Sequence, residues 1–306
     1  MTAKQKIIVI TGPTATGKSD LAIRLAKKFG GEVISADSRQ VYRGLNIGTG
    51  KVTKKEMGGI PHYMLDVANP KRQFSVAQYV KKADKVISKI LSRNKIPIIC
   101  GGTGFYISAL LGEEVIPDIP PDTRLRARLA EKSAGTLFGM LRKLYKGRAD
   151  KMNLSDRQNP RRLIRAIEIA LANKSMIAHD RYSDGDSGVK KSEVLKIGLA
   201  LPPEELKKRI HTRLLKRLKQ GMIAEAKNLH RRGLSWKRME ELGLEYRYLA
   251  KYLKKEITKD EMIERLNTKF WHYAKKQMTW FKKNKDITWF RMADVRKIFR
   301  PSSLFL

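Results

Sequence analysis

The chain has 306 residues, enough for one large domain or two ordinary ones, and 42% of them are apolar, which supports a substantial core. Lysine and arginine number 65 against 30 aspartates and glutamates, a formal net charge of +35. Solubility does not call for such an excess; it points to a polyanionic partner, nucleic acid ahead of a membrane surface, with a generally basic proteome as the plain alternative. The single cysteine, Cys100, excludes an intramolecular disulfide and a cysteine-based zinc site. No apolar run approaches the ~18 residues of a membrane span. Met1 leads almost directly into a core strand, leaving no room for a signal peptide, so the expectation is a cytoplasmic protein without a membrane partner.

The strongest local signal is the run Gly12, Pro13, Thr14, Ala15, Thr16, Gly17, Lys18 and Ser19, which fits the phosphate-binding pattern G-x-x-x-x-G-K-[ST] at every fixed position. Its context agrees. Ile7 to Ile10 is fully apolar, as a buried parallel strand should be. After the loop, Leu21, Ile23, Leu25, Ala26 and Phe29 form a helical stripe that Gly30 and Gly31 end. Backbone amides, the helix dipole and the Lys18 ammonium together make an anion cradle, and the Ser19 hydroxyl is placed to hold Mg²⁺. The loop therefore binds a di- or triphosphate.

Residues 32–35 read as a second strand that runs into Asp37, on the same rim of an open sheet as the phosphate loop. Two readings of Asp37 stand open, a base or metal ligand and a cap of the next turn. Residues 41–55 read as an exposed loop. Tyr63 to Asp66 reads as a short strand ending in an acid, and Ser75 as the cap of a helix to Asn94. Ile96 to Cys100 is the next buried strand. It leads into Gly101, Gly102, Thr103 and Gly104 instead of the acid that holds Mg²⁺ in nucleotide-hydrolysing enzymes, which disfavours an ATP motor unless Asp66 takes that place.

From Pro117 the composition turns basic and helical. Asn159 and Pro160 mark a helix start, with Arg161, Arg162 and Arg165 on one side and Leu163, Ile164, Ile167, Ile169 and Leu171 on the other. The arginines fit either a solvated face or a polyanion contact. Residues 179–190 read as a mobile polar linker, and strand character returns at Val194. The expected organisation is an α/β core, 1–117, a helical basic insertion, 118–192, and core completion with C-terminal helices, 193–306. In that last part Arg209 and Arg213 share a helix face, Thr258 and Glu261 form a capping box, and Ile287 to Phe290 could be a last strand. Phe270, Trp271, Tyr273, Trp280 and Phe281 read chiefly as core, with base stacking as the second reading. The tail from Arg296 reads as weakly ordered. No histidine pair has metal-ligand spacing.

Taken in order, six stretches resemble the tRNA dimethylallyltransferase family: GPTATGKSDLA from Gly12, SADSRQVYRGLNIGTGK from Ser35, GGTGFYISALL from Gly101, NPRRLIRAIE from Asn159, RIHTRLLKRLKQG from Arg209 and AKKQMTWF from Ala274. The resemblance covers nearly the whole chain. It implies a P-loop NTPase-like parallel sheet with a helical insertion, and prenyl transfer from dimethylallyl diphosphate, with Mg²⁺, to N6 of the adenosine 3′ of the tRNA anticodon, position 37. It further implies Asp37 as general base, with Lys18, Thr103 and Arg213 as the other catalytic residues. The loop from Gly12 to Ser19 would hold the diphosphate. A tRNA-contacting set would comprise Asp37, Ser38, Arg39, Gln40, Thr103, Arg126, Arg161, Arg162, Leu163, Ile164 and Arg165. A monomer is the default. The chain departs from the family at Asn46, Gly50 and Glu245, where Asp, Ala and Gly are usual, and an acid at Glu245 would repel phosphate. The rival readings are a P-loop kinase of a small metabolite, an adenylate isopentenyltransferase acting on free nucleotide, and a non-catalytic RNA-binding protein.

Overall fold

The computed structural model describes residues 5–114, 116, 117, 119–175, 189, 192–294 and 298. The linker expected over 179–190, but for Val189, and the tail from Arg296, but for Ile298, lie outside the described residues. The chain divides into two compact units, one comprising Met1–Glu114 with Asp186–Leu306 and the other Val115–Gly185.

The first unit is built on a parallel sheet. Strands β1 (Lys6–Thr11), β2 (Gly31–Ser35), β3 (His62–Tyr63), β4 (Ile96–Cys100), β5 (Glu193–Leu199) and β6 (Thr288–Phe290) lie in the order β3-β2-β4-β1-β5-β6. Ile8 of β1 stands beside Ile98 of β4 and Leu195 of β5. The strands are apolar on both faces because helices cover both. Ile8, Ile10, Val33 and Ile98 face α1 (Lys18–Phe29) through Leu21, Ala22 and Leu25. Ile7, Val9, Ile34 and Ile99 face the larger core on the other side.

That larger core is filled by α3 (Val76–Leu91), α4 (Gly104–Leu110) and the helices that follow β5. A short α2 (Lys54–Met57) lies between β2 and β3. After β5 come α10 (Pro203–Lys219), α11 (Met222–Arg231), α12 (Trp236–Glu241), α13 (Leu244–Leu253) and the long α14 (Lys259–Phe281). Ser75 and Thr258 cap α3 and α14 through reciprocal boxes with Gln78 and Glu261, as their spacing predicts. Because every strand runs the same way, the loops after β1, β2 and β4 emerge at one edge. Those strands are neighbours, so their loops meet there.

The segment after β2 is a correction to the sequence reading. It is not an exposed loop: Val41, Tyr42 and Leu45 are buried, and the Glu225 carboxylate of α11 accepts the backbone amides of Asn46, Ile47 and Gly48 and the Tyr246 hydroxyl. A carboxylate with four donors fixes a segment whose glycines and threonines predict freedom.

The second unit holds α5 (Thr123–Ala130), α6 (Ala134–Leu144), α7 (Lys146–Asp150), α8 (Leu154–Arg157) and α9 (Pro160–Ser175) around its own core. Asn159 caps α9, its side chain accepting from the Arg162 amide at 3.3 Å, with Pro160 as the first helical residue. Leu163, Ile164, Ala166, Ile167 and Ala170 form the buried face; of the others expected on it, Ile169 is half-buried and Leu171 is 36% exposed, because Ala166 and Ala170 take the inward positions of the helical repeat. No helix among the described residues is long and apolar enough to cross a membrane.

These placements separate two neighbouring positions of α9. Ile167→Ala should lower stability by about 2–5 kcal/mol because a fully enclosed site cannot collapse around the missing atoms. Leu171→Ala should change it by less than about 0.5 kcal/mol. Chemical denaturation of the two variants beside the parent checks the contrast, and equal losses would contradict the burial of Ile167.

Candidate active site

An open cleft of about 1460 Å³ occupies the carboxyl edge of the first unit's sheet, larger than the ~300–1,000 Å³ usual for one small ligand. Its floor is the loop after β1. The Thr16 hydroxyl donates to the Pro13 carbonyl at 3.0 Å, and the Lys18 ammonium to the same carbonyl at 2.5 Å. Arg213 reaches in from α10, donating to the Thr14 hydroxyl at 3.3 Å and to the Gly50 carbonyl at 3.2 Å. A β-carbon on Gly50 would lie 2.2 Å from the Arg213 guanidinium, so the departure from the family's alanine here makes room for that arginine. Arg209, one turn earlier, pairs with Glu205 on the exposed face instead.

The electrostatics are those of an anion site. Burial, with nearby Arg213 acting the same way, lowers the Lys18 pKa to about 8, and Cys100 and Asp37 offset only part of this. Arg213 is likewise lowered, first by burial and then by Arg217. Arg217 donates to the Gly48 carbonyl and pairs with Glu245 at 3.3 Å. Glu245 therefore faces a buried arginine instead of standing unpaired. Cys100, at the end of β4, stays a neutral thiol, its pKa pushed up by burial to about 11. Asp66 does not replace an acid there. It follows the edge strand β3, two strands away from β1's neighbour β4, and pairs with Lys51 at 2.7 Å.

Asp37 caps its turn, as one of its two sequence readings has it. Its Oδ1 accepts the amides of Arg39 and Gln40 at 2.8 and 3.3 Å, capping the turn. Oδ2 accepts no hydrogen bond from the described residues and faces the cleft that Asp37 lines. The Ser38 amide donates to the Thr103 hydroxyl oxygen at 3.0 Å, so the loops after β2 and β4 are tied together. Ser19, Ser38, Arg39 and Gln40 line the same cleft.

Gln277 of α14 completes the site, and sequence reasoning assigned it no role. Its Oε1 accepts the Thr14 amide at 2.9 Å while its Nε2 donates to the Gly102 carbonyl at 2.8 Å. One buried side chain thus cross-braces the loops after β1 and β4. A signal was present: Gln277 interrupts the buried stripe Phe270, Ala274, Phe281 at helical spacing.

In the second unit the predicted residues separate. Arg126 and Arg165 converge on the buried Glu168, Arg126 in two bonds of 2.9 and 2.8 Å. Burial would raise the Glu168 pKa, but the two guanidinium groups and the Asp122 amide hold it at about 2. Arg161 and Arg162 are exposed, and Arg162 pairs with Asp156. Leu163 and Ile164 are buried in the unit's core, so their side chains set the helix in place and do not contact a partner.

The sheet, the loop and the cations around it define a P-loop NTPase-like protein whose cleft is lined by Lys18 and Arg213 together with the Asp37 carboxylate. Comparison with known proteins narrows the class. The sequence model of the IPP transferase family matches residues 40–284. The chain is 41% identical to a tRNA dimethylallyltransferase 2 of Treponema denticola over 281 residues, 92% of each protein. It is 39% identical to a tRNA dimethylallyltransferase of Leuconostoc citreum over 90% of each. Its structure resembles the full-length tRNA isopentenylpyrophosphate transferase of Bacillus halodurans, with a TM-score of 0.72 and 33% identity over 99% of this chain and 97% of that one. It also resembles a eukaryotic dimethylallyltransferase solved acting on tRNA, with a TM-score of 0.73 and 27% identity over 90% of this chain and 70% of that one. The chain belongs to the IPP transferase family.

Two outcomes follow from the cleft. In its ammonium form Lys18 offers a full positive charge to an anion in the cleft, and burial brings its pKa down to about 8. Above that pH binding must take up a proton, so pyrophosphate affinity should fall toward about tenfold per pH unit between pH 8 and 10. Titration calorimetry across that range checks this, and a flat profile would return Lys18 to an ordinary lysine. Gln277→Ala leaves a buried amide and a buried carbonyl unpaired, at about 1–3 kcal/mol each. It should lower the melting temperature and weaken pyrophosphate binding about tenfold; unchanged binding would show that the loops hold themselves.

Proposed function

We propose that the protein transfers a dimethylallyl group from dimethylallyl diphosphate to N6 of the adenosine 3′ of the tRNA anticodon, position 37, releasing diphosphate. The observation that carries this reading is the opposition, within one cleft, of an anion cradle and a carboxylate with a free oxygen. The names of the relatives that share the chain's full length agree with it.

The chemistry uses each group as the structure places it. An exocyclic adenine amine is a poor nucleophile because its lone pair is delocalised into the ring. Asp37 Oδ2 orients the amine and takes its proton as the new C–N bond forms at the allylic carbon. The C–O bond to the diphosphate breaks with its electron pair on oxygen, and Lys18, Arg213 and the loop amides stabilise the charge that develops. Thr103, held by the Ser38 amide, presents its hydroxyl between amine and diphosphate. No covalent enzyme intermediate forms.

A magnesium ion fits the site in one mode. Among the described residues no group of three or more histidine, cysteine, aspartate or glutamate side chains could hold a metal. The donor offered is the Ser19 hydroxyl at the cleft, which suits an ion that takes its remaining ligands from diphosphate and water. When bound, it supplies further charge stabilisation to the leaving diphosphate.

The acceptor base leaves its stack to reach Asp37. Ser38, Arg39 and Gln40 would meet the RNA at the cleft, and Arg161 and Arg162, with Arg126 and Arg165 oriented by Glu168, would hold phosphates on the second unit. A tRNA substrate places the reaction in the cytoplasm.

The test is transfer from labelled dimethylallyl diphosphate, with Mg²⁺, to an unmodified anticodon stem-loop, with free AMP as a parallel acceptor. Label is expected in the stem-loop alone; label in AMP alone, or ATP turnover with no transfer, would overturn the reading. Asp37→Ala should slow transfer by about 10²–10⁴-fold while stem-loop binding persists, and loss of binding without loss of the chemical step would remove its role as base. Arg161→Ala should weaken stem-loop binding and reduce its salt slope by about one; an unchanged slope would make that face a solvated one.

A further inference from the structure

Large aromatic side chains are ordinarily covered by the fold, and several in α14 are: Phe270 and Phe281 are core. Among the described residues of the first unit three are not, and they gather around Thr103. Phe105 is 41% exposed, Tyr273 40% and Trp280 38%. Phe105 follows Thr103 by two residues at the start of α4. Trp280 lies against the glycine between them: a β-carbon on Gly104 would come within 2.2 Å of its Cδ1. The Phe105 and Trp280 rings meet edge to face with centroids 6.4 Å apart at 81°. Tyr273 stands seven residues before Trp280, on the same face of α14. Its ring edge is open to solvent, while its hydroxyl reaches the Thr103 side chain; burial of that hydroxyl and the nearby Asp37 carboxylate push its pKa well above the ordinary tyrosine range.

The three rings thus cluster about Thr103 and Gly104, and Tyr273 also lines the cleft that Asp37 lines. What lies around them is basic. Lys276, one turn from both Tyr273 and Trp280, is exposed, as are Lys282 and Lys283 beyond the helix end. A hydrophobic protein partner would leave these ammonium groups desolvated, whereas a single strand of RNA satisfies both features, offering a π-face at each base and a phosphate at each step.

We propose that Phe105, Tyr273 and Trp280 form a stacking shelf for the unpaired nucleotides next to the base delivered to Asp37, with Lys276 holding their backbone. The inference rests on the acceptor being an RNA loop, as proposed above. It assigns the shelf to substrate capture and orientation: bases neighbouring the flipped one lose their loop stacking and regain it on protein. The shelf tolerates any base, so it would fix where the loop lies and leave sequence preference to other contacts.

The experiment uses the full-length protein and an anticodon stem-loop carrying 2-aminopurine at the positions flanking the acceptor adenosine. Parent protein, Trp280→Ala, Phe105→Ala, Trp280→Phe and Lys276→Ala are compared for binding across a salt series, for 2-aminopurine quenching, for prenyl transfer and for pyrophosphate affinity. Trp280→Ala and Phe105→Ala should each weaken stem-loop binding by about fivefold to a hundredfold. Quenching should fall, the stem-loop KM should rise, and the salt slope and pyrophosphate affinity should stay as in the parent. Trp280→Phe should recover most of the loss, and Lys276→Ala should instead reduce the salt slope. Alanine variants that bind and quench like the parent, while the parent transfers label to the stem-loop, would overturn the shelf and leave the proposed function standing. A parent that transfers only to AMP, or not at all, would remove the function and the shelf with it. Variants that also lose pyrophosphate binding would place the rings in the packing of the cleft and overturn the shelf.

Discussion

Everything at the carboxyl edge of the sheet depends on keeping positive charges in a partly dry cleft. Lys18, Arg213 and Arg217 repel one another there, and burial costs each of them solvation; the lowered pKa values of Lys18 and Arg213 are the measure of that cost. The fold meets it with neutral oxygens, the carbonyls of Pro13, Gly48 and Gly50, and with Glu245 on Arg217 alone. The balance left at the mouth is positive and fixed in place before any anion arrives. Preorganisation of this kind is what makes an electrostatic site effective, because little has to reorient when charge develops.

Fixing the charges requires bracing the loops that carry them, and the braces share a pattern. Gln277 ties the loops after β1 and β4, Arg217 ties α10 to the segment after β2, and Glu168 gathers Arg126 and Arg165 in the second unit. Each is a polar residue set in the apolar stripe of its own helix. Phe270, Ala274 and Phe281 flank Gln277; Ile210 and Leu214 precede Arg217; Ile164 and Ile167 precede Glu168. A buried polar side chain costs less the more of its hydrogen bonds are made, so each also specifies where its partners must be; Arg217 makes its bonds through Nη1 and leaves its buried Nε without one.

That pattern marks where the sequence was legible and where it was not. The phosphate loop, the strands around it, the capping boxes and the helical insertion follow from periodicity and local chemistry, which act over a few residues. Gly50 and Glu245 looked like departures because their partners, Arg213 and Arg217, lie more than a hundred and sixty and about thirty residues away in the chain. The exposed loop expected after β2 failed for the same reason, since Glu225 on α11 supplies what the local sequence lacks. The buried roles of Leu163 and Ile164 were legible from the stripe of α9, and only a residue-by-residue transfer of family contacts set that reading aside.

The division of labour between Asp37 and the cradle then has a physical reason. A base and an anion site placed on one loop would neutralise each other, for a carboxylate beside Lys18 and Arg213 would fill the cradle itself. Here the carboxylate stands on the loop after β2 and spends one oxygen on its own turn, and the cations stand on the loop after β1 and on α10. Between them β4 ends in a neutral thiol, two glycines and the Thr103 hydroxyl. An acid at that position would bind a metal and draw the cations away from the diphosphate. With none there, nothing at the end of β4 competes for the cradle's charge, and in the reaction proposed above that charge meets the leaving group while the free oxygen of Asp37 takes the proton from the other end of the forming bond.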